Sequence, residues 1–199
     1  MINSMTVALC NKLCRLGIFP KEREKVYIYG FELLISSVIG IMVLIAISIA
    51  EGNCFAWLPY LLGFIPARIT GGGYHAKTHF TCILSFSLVF SLFLLLSNHV
   101  DIRPITYIFL SLATLIISLA VAPVEAINKP LTKEKRIKNR KRCLMCAIIT
   151  QVMAMLICVM RIPCGEYIDL YFFGEFAAGM SMIVVSFKTT TSDSADNKS

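Results

Sequence analysis

Charge is scarce in this chain, and over long stretches there is none. Asp, Glu, Lys and Arg make up 16% of the 199 residues and hydrophobic residues 57%, whereas about a quarter of an ordinary soluble domain is charged. Phe80 to Ser97, Pro104 to Val124 and Cys143 to Met160 carry no charge, and Ile28 to Ala50 and Leu170 to Phe187 carry only Glu32 and Glu175. A helix crossing a membrane core needs about 20 apolar residues and no fewer than about 17. These five runs therefore exclude a soluble globule. The chain also lacks the strict alternation of a membrane barrel, which leaves helices as the way to satisfy backbone amides in lipid. It lacks an internal repeat of the kind that builds a transporter from two halves, and it has no stretch long enough for a folded cytosolic module.

Lys and Arg are nearly missing from one side of the expected membrane domain. A sixth, weaker segment lies between Glu51 and Arg68, with 16 uncharged residues interrupted by Pro59, Gly63 and Pro66. If all six segments cross, 17 of the 19 Lys and Arg residues fall on one side, and only Arg103 and Arg161 on the other. Omitting the weak segment would move the cluster between Lys129 and Arg142 to the opposite side from the N-terminus. The positive-inside rule thus predicts an all-α, polytopic protein of the cell membrane with six spans and both termini cytoplasmic. A re-entrant second segment is the alternative.

The excess of basic residues is a topology signal, and nucleic acid is not an expected partner, because these residues lie in short loops between spans. The Lys133–Arg142 cluster anchors the chain at the cytoplasmic lipid surface, or meets an acidic peptide.

No cleavable signal peptide is visible. Instead Ile2, Met5, Leu9, Leu13 and Leu16 recur at steps of three and four, with Lys12 and Arg15 on other faces. That pattern predicts a helix lying in the membrane interface. The expected organisation is an amphipathic segment over 1–25, a membrane domain over 26–188 and a disordered cytoplasmic tail over 189–199, where TTTSDSADNKS has one apolar residue.

Eight cysteines are present. Cys82, Cys143, Cys146 and Cys158 fall in apolar runs, Cys10 and Cys14 face the cytosol, and Cys54 and Cys164 alone could pair near the outer face. The Cys143-x-x-Cys146 spacing resembles a metal site, but no second ligand pair accompanies it. No metal or cofactor is expected.

The most irregular segment is Pro66 to His79, PARITGGGYHAKTH, where three glycines interrupt the helical pattern at a membrane edge. Glycines permit a loop there, and Cys82 follows near the start of the next span. A thiolate nucleophile and an imidazole that shuttles its proton suffice for peptide cleavage. Positive charge from Arg68 and Lys77 suits a thiolate, while apolar burial opposes it. Spacing alone favours His79 as the partner, since residues three apart are helix neighbours. On a continuous helix, His75 would sit about 10 Å from Cys82 along the axis, so the glycine loop would have to fold back.

Arg68, Gly71-Gly72-Gly73, Tyr74-His75-Ala76-Lys77-Thr78 and Cys82 resemble the signature of the accessory gene regulator B (AgrB) family of membrane cysteine peptidases. Ala122-Pro123-Val124 through Asn128-Lys129-Pro130-Leu131, followed by a basic loop, resembles that family's second shared segment. The resemblance covers nearly the whole chain.

It implies an endopeptidase that removes the C-terminal part of an AgrD-type propeptide through a thioester on Cys82, enabling closure to a thiolactone or lactone quorum-sensing peptide. It also implies that His75, rather than His79, is catalytic, with the active site on the cytoplasmic side. Arg68, Gly71, Gly72, Gly73 and Lys77 would shape the loop or hold peptide. A homodimer is the family-level expectation for assembly. The competing reading is a non-catalytic protein that binds or transports a peptide, with Glu32, Gln151 and Glu175 as its only strong intramembrane polar candidates.

Overall fold

The computed structural model describes residues 2–15, 24–72, 79–124, 132–162 and 165–196, and among them it is helical with short connections. Seven helices follow in order: α1 (Ile2–Arg15), α2 (Glu24–Ala50), α3 (Trp57–Gly71), α4 (His79–His99), α5 (Pro104–Val121), α6 (Lys133–Met160) and α7 (Glu166–Asp196). Five of them, α2, α4, α5, α6 and α7, are long and apolar enough to cross a membrane.

The weak sixth segment is α3. Its 15 residues span roughly 22 Å at 1.5 Å per residue, short of a bilayer core of about 30 Å. Pro66 lies inside it without ending it. Its direction is nevertheless that of a crossing. The turn before α3 meets the start of α7 through a hydrogen bond from Tyr167 Oη to Asn53 Oδ1 (3.1 Å). Further along, Ala67 shares a buried cluster with Ala178, and Gly71 abuts Met182. The two helices therefore run parallel, and the successive helices from α2 to α7 alternate in direction. The six-span expectation is compatible with this arrangement, with five full-length helices and one short one.

The α3–α7 pairing rests on small residues. A Cβ at Gly63 would strike the backbone carbonyl of Tyr171, and one at Gly174 would strike the carbonyl of Tyr60. In lipid, where apolar surface gains little from meeting apolar surface, such close backbone approach is a main source of helix association. The result is a bundle centred on α7. Of its membrane-spanning window 56% is buried, against 17% for α2 and α4. Helix α7 packs on α3, α5 and α4, α6 lies against α5 and α3, and α2 joins through α4.

Polarity inside the bundle is reversed relative to a soluble protein. Helix α5 buries Tyr107, Ser111, Thr114 and Ser118 and exposes Ile105, Phe109, Leu112, Ile116 and Leu119. The buried groups are satisfied along and between helices. Ser111 Oγ lies 2.7 Å from the carbonyl of Tyr107 and 2.9 Å from Gln151 Oε1. Tyr107 Oη donates to the buried Asp169, and Thr150 Oγ1 donates to the buried Glu175. Gln151 and Glu175 thus act as interhelical ties.

Three further segments complete the arrangement. Helix α1 packs on α2 and buries Thr6 and Cys10, while Lys12 and Arg15 stay exposed. Of its expected apolar stripe, Leu16 lies outside the described residues. The basic cluster and the following apolar run form one continuous helix, α6, whose Arg140 donates to the carbonyl of Leu119 (3.3 Å) and so caps the end of α5 with a cation. Helix α7 carries helical backbone as far as Asp196, and neither Pro nor Gly occurs between Met180 and Asp196.

Candidate active site

Of the signature residues, Arg68, Gly71 and Gly72 lie at the end of α3 and Cys82 at the start of α4. Helix α3 closes at Gly71–Gly72. Gly72 has φ +77°, and the carbonyl of Val124 occupies the space a Cβ would take. Its own N–H turns back to the carbonyl of Arg68 (3.1 Å). Gly71 has no room either, since its Cβ would meet the Met182 side chain and lie 3.1 Å from Cys143 Sγ. Gly72 thus requires glycine on backbone and packing grounds together, whereas at Gly71 the obstacle is the flexible end of the Met182 side chain.

The segment after α5 locks onto this turn. Val124 N–H donates to the carbonyl of Gly71 (2.9 Å), following a cis Ala122–Pro123 bond. Ala122 packs in a buried cluster with Ala67, Cys143, Ala178 and Met182. The two segments singled out by the resemblance, far apart in sequence, therefore meet at Gly71, Gly72 and Val124.

Cys82 lies in the first turn of α4, half-buried and with a free thiol. The first backbone N–H groups of a helix have no intrahelical acceptor, and Cys82 is the fourth residue of α4. Arg68 lies one turn before the end of α3, with Cys82 within electrostatic range. Its guanidinium donates from Nη1 to Ser181 Oγ on α7 (3.0 Å).

Among the predicted residues, Arg68, Gly71 and Gly72 lie at the end of α3 and Cys82 in the first turn of α4. Gly73, His75 and Lys77 lie outside the described residues. His79 supplies the first residue of α4. Cys143 belongs to the core, with its Sγ 3.6 Å from Ser118 Oγ. Cys54 is an exposed free thiol, and Cys164 lies outside the described residues. The sequence reading missed Ser181, whose only signal was one hydroxyl between Met180 and Met182 in an apolar run.

Residues 2–188 match the family model described as accessory gene regulator B. No curated protein matches significantly, nor does any solved structure. With nearly its whole length matched, the chain belongs to the accessory gene regulator B family, whose members work in quorum-sensing peptide processing.

Proposed function

We propose that this protein is a cysteine endopeptidase of the cytoplasmic membrane surface that cuts an AgrD-type propeptide and keeps its N-terminal part as a thioester. The observation that carries this reading is the placement of Cys82. It sits in the first turn of α4, next to the glycine-closed end of α3 and within reach of the Arg68 charge.

In this reading His75 takes the proton from Cys82 Sγ as the sulfur attacks the scissile carbonyl carbon. The tetrahedral intermediate collapses, the carbon–nitrogen bond breaks, and His75 gives the proton to the departing amine. The acyl group stays on Cys82. A thiol within the propeptide then attacks that carbonyl, closes the thiolactone and returns the sulfur of Cys82, which recovers a proton. A serine hydroxyl in the same place gives a lactone. Exchange of one thioester for another is nearly balanced, so the acyl-enzyme conserves what ring closure needs. Forming a thioester from an amide is uphill, and removal of the cut tail draws the sequence forward. Backbone N–H groups of the Gly71–Gly73 loop or of the first turn of α4 are the candidate oxyanion donors, each such donor being worth about 3 kcal/mol.

Mass analysis of a co-expressed propeptide tests the reading directly. The expected product is a propeptide shortened at its C-terminal side, together with a chain whose mass at Cys82 is raised by the retained acyl part. Intact propeptide bound to the membrane fraction would instead indicate a peptide-binding or transport protein.

Membrane orientation follows from the basic residues. The end carrying Arg68 and the Lys133–Arg142 stretch is assigned to the cytoplasm, and the end carrying Arg103 and Arg161 to the outside. Cysteine substitutions labelled with an impermeant thiol reagent on intact cells should react at Asn98 and Gly165 and stay silent at Thr78 and Lys138. Outside labelling at Thr78 would overturn the orientation. The membrane domain is assigned to 26–188, with 1–25 as an interfacial element, and a homodimer is the proposed assembly.

A further inference from the structure

A long cationic side chain at a membrane edge tends to extend toward water, carrying its charge outward. Arg68 does otherwise. It is half-buried, it interacts electrostatically with Cys82, and its Nη1 is 3.0 Å from Ser181 Oγ. The hydroxyl is well prepared for that contact. Its single proton is directed to the carbonyl of Ala178 (2.7 Å), which leaves the oxygen to act as an acceptor toward a guanidinium that can only donate. The helix carrying Ser181 is itself registered against α3, since Ala67 packs with Ala178 and Gly71 abuts Met182. The anchor and the base of the arginine side chain are thus fixed relative to one another.

We propose that Ser181 is a positioning residue that holds the Arg68 guanidinium inward, so that its charge falls on Cys82. The proposal rests on Cys82 being the nucleophile. A cation that reaches the sulfur also reaches the oxyanion of the tetrahedral intermediate, which forms two bonds away. In this role Ser181 acts through Arg68, to which its hydroxyl is bonded. Because α7 supplies Ser181, α3 supplies Arg68 and α4 supplies Cys82, the charge is correctly aimed only when the three helices are assembled together.

The test compares two methanethiosulfonate reagents, one ending in a sulfonate and one in a trimethylammonium group. Their rates of reaction at Cys82 are read by mass spectrometry on the full-length protein in membranes. The ratio of the rates cancels the thiolate fraction and reports the local charge. A nearby unit charge changes each rate roughly fivefold in a watery setting, so the wild-type ratio should favour the sulfonate clearly. Arg68→Gln should abolish the preference, and Ser181→Ala should reduce it at least about threefold on the same scale. Ser181→Thr, which retains the hydroxyl, should restore it.

In propeptide processing, Ser181→Ala should lower kcat about tenfold and leave KM within about twofold, as expected for an interaction made in the transition state. A ratio unchanged in Ser181→Ala while Arg68→Gln collapses it would overturn the proposal. So would a ratio indifferent to Arg68→Gln. If Cys82→Ala still processes the propeptide while the labelling ratios shift as expected, the peptidase reading falls and the anchoring of Arg68 by Ser181 stands.

Discussion

Propeptide cleavage should be lost in Cys82→Ala and Cys82→Ser, and in His75→Ala, while Cys143→Ala, Cys146→Ala and His79→Ala should keep most of it. The reason differs for each residue. Cys82 is the half-buried free thiol in the first turn of α4, and replacing a nucleophile removes the covalent route altogether. Serine does not substitute, because its hydroxyl is a far weaker nucleophile than a thiolate at neutral pH. Cys143 is buried, at 2% exposure, among Ala67, Ala122, Ala178 and Met182, so Cys143→Ala trims a packing atom. Loss of a general base costs about 10²–10⁴-fold in rate, which separates His75 from His79 in a simple gel assay of processing. The membrane fraction of each variant shows that it still inserts. Normal processing by Cys82→Ala would end the covalent mechanism. An active His75→Ala beside a dead His79→Ala would show that helix spacing, rather than the family signature, identifies the base.

Gly174→Leu should abolish the folded protein in detergent, and Gly63→Leu should behave alike. A Cβ at Gly174 would collide with the backbone carbonyl of Tyr60 and lie 3.2 Å from the Phe64 nitrogen. Helical backbone cannot move aside as a flexible side chain can. The axes of α3 and α7 would have to separate, at a cost of about 3 kcal/mol or more. Thermal aggregation followed by size-exclusion chromatography measures the effect. Gly30→Leu is the control, since nothing lies within 4 Å of its Cβ position. A Gly174→Leu protein melting with the wild type would show that the α3–α7 contact does not hold the bundle together.

How far the sequence could be read depended on the physical rule in play. Lipid requires long uncharged helices, so α2, α4, α5, α6 and α7 were legible from run length alone. The short α3 was legible only through the charge asymmetry, because Pro59, Gly63 and Pro66 made its hydropathy ambiguous. Hydropathy reports how much of a segment is apolar and says nothing of which face turns inward. The buried hydroxyl row of α5 therefore went unread, as did the burial of Asp169. The spacing Gly63–Ala67–Gly71 was visible in the letters, but its partner Gly174–Ala178 lies too far along the chain for local pattern to connect them. Within the site, the signature named Arg68, Gly71, Gly72 and Cys82. The Val124 carbonyl against Gly72 and the Ser181 hydroxyl against Arg68 are contacts between distant segments, which one sequence by itself does not encode in any readable spacing.

The pairing of α3 with α7 also sets a schedule. Gly63 and Gly174 are separated by 111 positions (174 − 63), which a ribosome covers in roughly ten seconds. Throughout that interval α3, short and proline-bearing, waits without the neighbour that fits it, and Arg68 waits without its anchor. A partly made chain exposing Cys82 at the membrane therefore lacks the surroundings that would aim charge at the sulfur. Helix α7 is the last described helix to emerge, so its arrival brings the reactive centre together, and an interrupted synthesis leaves a thiol without a properly built site around it.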